Sequence, residues 1–293
     1  GDRSAFLTMA RQCSDLTLPY LVRDDNGFTK SMETLITPWQ SVGAKGVVTL
    51  ASKLMLALLP PQTSFFKLQV DESELAKMGE MSPDIRSELD LSFAKIERTI
   101  MEAVAASHDR VTVHQALKHL VVSGNALLFM GKEGLKLYPL NRYVVERDGN
   151  GNVIEIVTRE RISRQLVEKY LPPNEPNAVS NDYDTSREEV DIYTHVKRDN
   201  NRFTWYQEVE DVVIEKSMSK APVESNPWIC LRFNVVDGEV YGRGRAEEFI
   251  GDLKSLEALS QALVEGSQLL LNHSPWPKQV TVQSFKVDQK ISV

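Results

Sequence analysis

The sequence predicts an α+β protein in which helices come first, antiparallel β-hairpins follow and one long helix comes late in the chain. Three observations carry this. Apolar residues recur at three- and four-residue spacing in the N-terminal part, the helical period. Two clusters of turn residues, Asp148-Gly149-Asn150-Gly151 and Asp199-Asn200-Asn201, each separate extended runs rich in β-branched and aromatic side chains. From about Arg245 to Leu271, Phe249, Leu253, Leu256, Ser260, Leu263, Ser267 and Leu270 alternate at spacings of four and three, the seam of a helix roughly 40 Å long at 1.5 Å per residue.

Taken in order, the opening "GDRSAFLTMARQC" has a helical pattern, and because it begins with Gly1 the chain is expected to start inside a longer one. In "TPWQSVGAKGVVTLASKLMLALLPPQ", Thr37 is the expected cap of a helix with Pro38 at its first position, and Pro60 and Pro61 stop it. Gly43, Gly46, Val47, Leu50, Leu54 and Leu58 are predicted to share its packing face. A second helix follows Ser82 and Pro83, with Leu89, Phe93, Ile96, Ile100 and Val104 as its stripe. A third, in "RVTVHQALKHLVVSGNALLFM", turns into a strand after the Ser123-Gly124-Asn125 break. The two hairpins come next, separated by the loop-like "LPPNEPNAVSNDYDTSREE", and "NPWICLRFNVVDGEVYGRG" supplies one more strand and turn before the long helix.

Composition narrows the function. The 293 residues are 42% hydrophobic, enough for a sizeable core, and 34 Lys and Arg stand against 41 Asp and Glu, a net charge of -7 with no block of five like charges. A general nucleic-acid coat is therefore not expected. Cys13 and Cys230 have no C-x-x-C spacing, which argues against a disulfide framework or a cysteine zinc site and suits a reducing compartment. No apolar run reaches the roughly 18 residues of a membrane span, and the longest, Val47 to Leu59, contains Lys53.

The motifs that suggest catalysis are weak. Gly242-Arg243-Gly244 follows a strand and precedes a helix, as in a dinucleotide fold, but the third glycine position is Glu247. Glu247 and Glu248 would place carboxylates where a pyrophosphate needs bare amides and the positive end of the helix dipole. "GAKGVVTL" lacks the Lys-Ser/Thr ending of a P-loop. His114 and His119, five apart, fall on different helix faces, and His108, His195 and His273 are isolated. The neighbours Asp24 and Asp25, or Glu188 and Glu189, fit solvated loops. No G-x-S-x-G elbow occurs. No catalytic, cofactor-binding or metal-binding residue is assigned.

Five stretches together resemble one family. "TPWQSVGAKGVVTLASKLMLALLPPQT", "RVTVHQALKHLVVSGNALLFM", "KLYPLNRYVVERDGNGNVIEIVTRE", "DIYTH" and "DGEVYGRGRAEEFIGDLKSLEALSQALVEGS" are similar, in order, to the portal or head-to-tail connector proteins of short-tailed, podovirus-type bacteriophages. The resemblance implies a virion protein, made in the host cytoplasm, that forms a dodecameric ring at one capsid vertex. Double-stranded DNA would be packaged and ejected through it. Its partners would be other copies of itself, terminase, tail adaptor and internal core proteins, and capsid and scaffolding proteins, with no membrane, no cofactor and no enzymatic activity.

On this sequence the resemblance implies an α/β wing over residues 1–244, a first stem helix over 245–272, and a clip segment or remnant of the C-terminal part over 273–293. Phe249, Leu253, Leu256, Leu263 and Leu270 become the stem packing seam, Asp252, Glu257 and Glu265 the candidate acidic residues of the channel, and Gly242 and Gly244 the wing-to-stem turn. Family members are considerably longer. The tail's Lys278, Lys286 and Lys290 suit either a clip strand or an exposed basic edge. The alternative reading is a nucleotide-binding enzyme that uses the Gly242-x-Gly244 turn.

Overall fold

The computed structural model describes residues 3–23, 35–61, 63–69, 83–167 and 189–273, with residues 83 and 270–273 described by their backbone alone. The expected cap Ser82, the carboxylates Asp24, Asp25 and Glu188, the predicted loop up to Glu188, and everything assigned to the tail beyond 273 lie outside these residues.

Among the described residues, four helices precede the strands: α1 (Ser4–Asp15), α2 (Val42–Leu58), α3 (Pro83–Ala106) and α4 (Asp109–Ser123). Among the described residues the strands form two antiparallel sheets. A three-stranded sheet has the order β2 (Gly134–Tyr138), β1 (Asn125–Gly131), β8 (Trp228–Arg232). The other is a meander of β3 (Tyr143–Arg147), β4 (Val153–Ser163), β5 (Glu189–Asp199), β6 (Arg202–Val209) and β7 (Val212–Pro222). A short helix, α5 (Arg245–Glu248), and the long helix α6 (Ile250–His273) follow. Helices plus antiparallel sheets make the fold α+β.

Both predicted hairpins form where their turn residues stand. Asp148 closes the first, its carboxylate accepting from the Asn152 side-chain amide and from the backbone N–H groups of Asn152 and Asn150, and these bonds, the Asn152 side chain's foremost, hold its pKa below the usual carboxylate range. Asn200 closes the second at φ 49. The β6–β7 turn is built from Glu210 and Asp211, both at positive φ.

One core joins the parts. Leu127 of β1, Leu140, Ile156 of β4 and Val196 of β5 have no exposed surface, and they belong to one cluster with Cys13 of α1, Val47 of α2, Val122 of α4 and Trp228 of β8. The two sheets are further clasped by Arg147. Its guanidinium donates to the carbonyls of Val240, Gly151 and Cys230, satisfying a half-buried charge in the seam between them. Burial pushes the Cys13 thiol up to about 12 and raises Cys230 as well, so neither is a ready thiolate.

Three expectations need correction, and one stripe is found as expected but open. Helix α2 begins at Val42, not Pro38, because the Gln40 side chain takes over the capping: its Oε1 accepts from Gly43 N–H and its Nε2 donates to Leu16 O. The buried face of α2 is Gly43, Val47, Ala51 and Met55, with Leu50 and Leu54 flanking, so Gly46 and Leu58 point away from it. The stripe of α3 exists but is not covered, since no described side chain of that helix is buried. The long helix is interrupted at Phe249, whose N–H reaches back to Ala246 O, so α5 and α6 are two segments.

The histidines occupy separate places. His114 lies 3.3 Å from the Ser52 hydroxyl, whereas His119 is buried within α4. Burial, aided by Lys118, lowers the His119 pKa from 6.5 to about 4. Because the folded pKa lies below the unfolded one, the folded state binds fewer protons between these values. Stability is therefore expected to fall as pH drops from 6.5 to 4, by on the order of 3 kcal/mol, and to be unaffected by this residue above 6.5. Denaturant titration of wild type and His119→Gln across that range checks it, the variant showing the smaller acid slope.

Candidate functional site: a glycine junction and a helix seam

The chain crosses from sheet to long helix through Tyr241-Gly242-Arg243-Gly244. Beyond β8 the backbone loops out and returns, and the pair Asn234 and Arg243 exchange backbone hydrogen bonds of 3.1 and 2.9 Å. This sets Gly242 and Gly244 against the point where α4 becomes β1.

Asn125, 1% exposed, holds that contact. Its side-chain amide donates to Gly242 O at 2.7 Å and to Ser123 O at 2.8 Å, and its oxygen accepts from Gly242 N–H at 2.7 Å. One side chain thereby satisfies both backbone groups of a buried residue 117 positions away. Gly124 ends α4 in the left-handed region at φ 74, the C-cap conformation glycine favours.

The approach leaves no room for side chains. A Cβ on Gly242 would meet Gly124 O at 2.7 Å and Arg232 Cβ at 2.8 Å, and one on Gly244 would strike the Val122 carbonyl. The glycines are required by backbone packing against backbone. Gly242 N–H, the donor a phosphate cradle would use, is already spent on Asn125.

Charges complete the junction. The Arg243 guanidinium forks between Glu239 and Glu247, and Arg245 pairs with Glu248, which also accepts from the Asn234 amide at 2.9 Å. The hydrogen bond from Arg243 holds Glu239 below the usual carboxylate range, and the two carboxylates raise Arg243 above its ordinary value. Glu247 and Glu248 thus occupy the start of α5 with partners of their own.

The seam divides into two parts. At its start, Leu253 is buried, Leu256 is half-buried and Phe249 is partly open with the Arg245 guanidinium over its ring at 5.1 Å. These side chains border a groove of about 380 Å³ against α2. Further along, Leu263 is 63% exposed, and Leu259 and Leu269, which the seam pattern did not include, are 58% and 61% exposed. The side chain of Leu270 lies outside the described residues.

The three acidic candidates are not equivalent. Asp252 and Glu265 are exposed on α6, Glu265 accepting from Gln261 at 2.9 Å. Glu257 instead accepts from the backbone N–H groups of Trp39 at 2.8 Å and Gln40 at 3.3 Å, and Lys254 donates to Gln12 at 3.0 Å. These bonds tie the first half of α6 to the segment before α2 and to α1. Sequence reasoning missed Asn125 and this tether, for which no local pattern exists. The i, i+4 pair Leu259 and Leu263 was a readable signal.

The α+β body thus hands over through this junction to a helix whose described distal leucines are exposed. A family model described as bacteriophage head to tail connecting protein matches residues 1–286. The portal proteins of Enterobacteria phage T3 and Escherichia phage T7 are 42% and 40% identical over 278 and 279 residues, 92% of this chain in each case and 50% and 51% of theirs. The portal protein of Enterobacteria phage SP6 is 32% identical over 285 residues, again 92% of this chain and 51% of its own length. The chain belongs to the bacteriophage head-to-tail connecting protein family. It spans about half the length of the curated relatives it matches.

Gly244→Ala is expected to lower the unfolding free energy by about 1–3 kcal/mol or more through overpacking. Gly251→Ala, at an exposed helical position with nothing within 4 Å of its Cβ, leaves it unchanged or raises it by up to ~1 kcal/mol. Chemical denaturation of the two variants checks the contrast.

Proposed function

We propose that this chain forms the wing and first stem helix of a portal subunit, a structural protein without enzymatic activity whose work is done as a dodecameric ring. Residues 1–244 make the wing, 245–272 the stem helix, and 273–293 lead toward the clip. The ring sits at one vertex of the capsid in the virion, assembled in the host cytoplasm with capsid and scaffolding proteins. It passes double-stranded DNA during packaging and ejection, and offers terminase and the tail adaptor and internal core proteins a platform.

The observation that carries this reading is the distal half of α6, where Leu259, Leu263 and Leu269 stand open to solvent on a single copy. Side chains of that size, in a helix of 24 residues or about 36 Å, are covered when copies pack side by side. A cyclic assembly rather than a dimer follows if the contact is heterologous. Asp252 and Glu265, which have no tether like that of Glu257, are the carboxylates available to a channel wall, where negative charge would repel phosphate and reduce adhesion to passing DNA.

Native mass spectrometry and negative-stain microscopy of the full-length protein test the proposal. A closed ring with a central hole is expected, and a persistent monomer would overturn it. Leu263→Asp is expected to cut ring yield by more than about tenfold, the factor that ~1.4 kcal/mol per contact produces, while Glu265→Gln leaves it intact. Equal yields from both variants would remove the seam from the interface.

A further inference from the structure

Two arginines meet where the two sheets join, and both are held by carbonyls alone. Arg147, the last residue of β3, donates to Val240 O, Gly151 O and Cys230 O at 3.1, 2.9 and 3.2 Å. Arg232, the last residue of β8, donates to Glu239 O at 3.0 Å. Its second terminal nitrogen lies over Gly151, 2.9 Å from the place a Cβ on that residue would take. The two guanidiniums therefore hold the consecutive carbonyls of Glu239 and Val240 and face one glycine of the β3–β4 turn.

Carbonyl dipoles satisfy N–H groups, but they do not cancel a charge that a guanidinium cannot shed. Among the described residues neither arginine pairs with a carboxylate. Glu239, whose carbonyl Arg232 holds, gives its carboxylate to Arg243. Asp148, which follows Arg147, gives its own to Asn150 and Asn152. Burial, and after it the charge of Arg147, holds Arg232 below its ordinary value. A chain with a net charge of -7 thus keeps two positive charges together without a counter-charge from its described residues.

Access and geometry suit a small anion. Both arginines are half-buried, so each keeps an open side. Arg147 uses three of its five N–H groups and Arg232 one of its five, which leaves donors on both for oxygens from outside. Planar guanidinium forks match the oxygens of phosphate, and two such charges match a dianion. We propose that Arg147 and Arg232, meeting at Gly151, form a binding site for one phosphate-type dianion. Both residues belong to a single copy, so the inference goes beyond the ring reading and does not rest on it.

Isothermal titration calorimetry of the full-length protein with inorganic phosphate, at an ionic strength held constant with chloride, tests it. Saturable binding of one phosphate per chain is expected. Arg232→Gln should weaken it more than tenfold, whereas Arg198→Gln, which removes the positive charge acting on Asp148 and spares the pair, leaves it unchanged. No saturable binding, or equal weakening by both variants, would overturn the site. Denaturant unfolding gives a second readout, because Arg232 also bonds to a loop carbonyl. Millimolar phosphate is expected to raise the midpoint of the wild type and not that of Arg232→Gln. A gap between the two that is the same in chloride and in phosphate would leave Arg232 a structural role only and overturn the proposal. A duplex DNA oligonucleotide then separates two sources of the phosphate. Displacement of the bound ion assigns the site to a nucleic-acid backbone, and its persistence assigns it to free phosphate or a phosphorylated solute.

Discussion

Everything distal in this protein depends on how closely two backbones approach at Gly124 and Gly242. The carbonyl of Gly124 accepts from Phe233 N–H, and the side chain of the next residue, Asn125, takes both backbone groups of Gly242. Carboxamide pairing of this kind fixes position and direction together, because donor and acceptor lie in one plane. It is buried, so breaking either half leaves a backbone group unsatisfied at about 1–3 kcal/mol. The direction of α5 and α6 is therefore set by the end of α4, and through it by the core.

The same constraint explains why a glycine pair that looks like a phosphate loop is occupied by the protein's own groups. Phosphate cradles need glycine so that bare amides can face a ligand. Here glycine serves the opposite end, letting backbone pack on backbone and on the Asn125 side chain at distances that exclude a Cβ. With the junction fixed, Glu257 and Lys254 add a second line of attachment from α6 to the segment before α2 and to α1. The helix is thus held along its first half, while its second half presents leucines to solvent.

How far the sequence discloses this depends on the range of the interactions. The helix α4, its end at Gly124 and the strand after it are local, and the Ser123-Gly124-Asn125 break marks them. The Asp148 and Asn200 turns are likewise written in their own residues. The Glu210-Asp211 turn is not, since two acidic residues at positive φ carry no glycine or asparagine to announce it. The start of α2 is misplaced because Thr37 and Pro38 form a good local cap signal that loses to Gln40, whose partners are Leu16 and Gly43. Asn125 offers no signal at all for a partner 117 residues ahead. The stripe of α3 and the seam of α6 show that periodicity reveals an apolar face without saying whether the chain itself covers it.

Hydrogen exchange at the junction tests the central claim most directly, followed by mass spectrometry on peptides spanning 238–249 in wild type and Asn125→Ala. If the junction is a buried splice, these amides exchange as slowly as those of α4 in the wild type, do not respond to added nucleotide, and speed up in the variant. Wild-type exchange as fast as that of the exposed 235–238 loop, or protection that develops only when nucleotide is added, would contradict it.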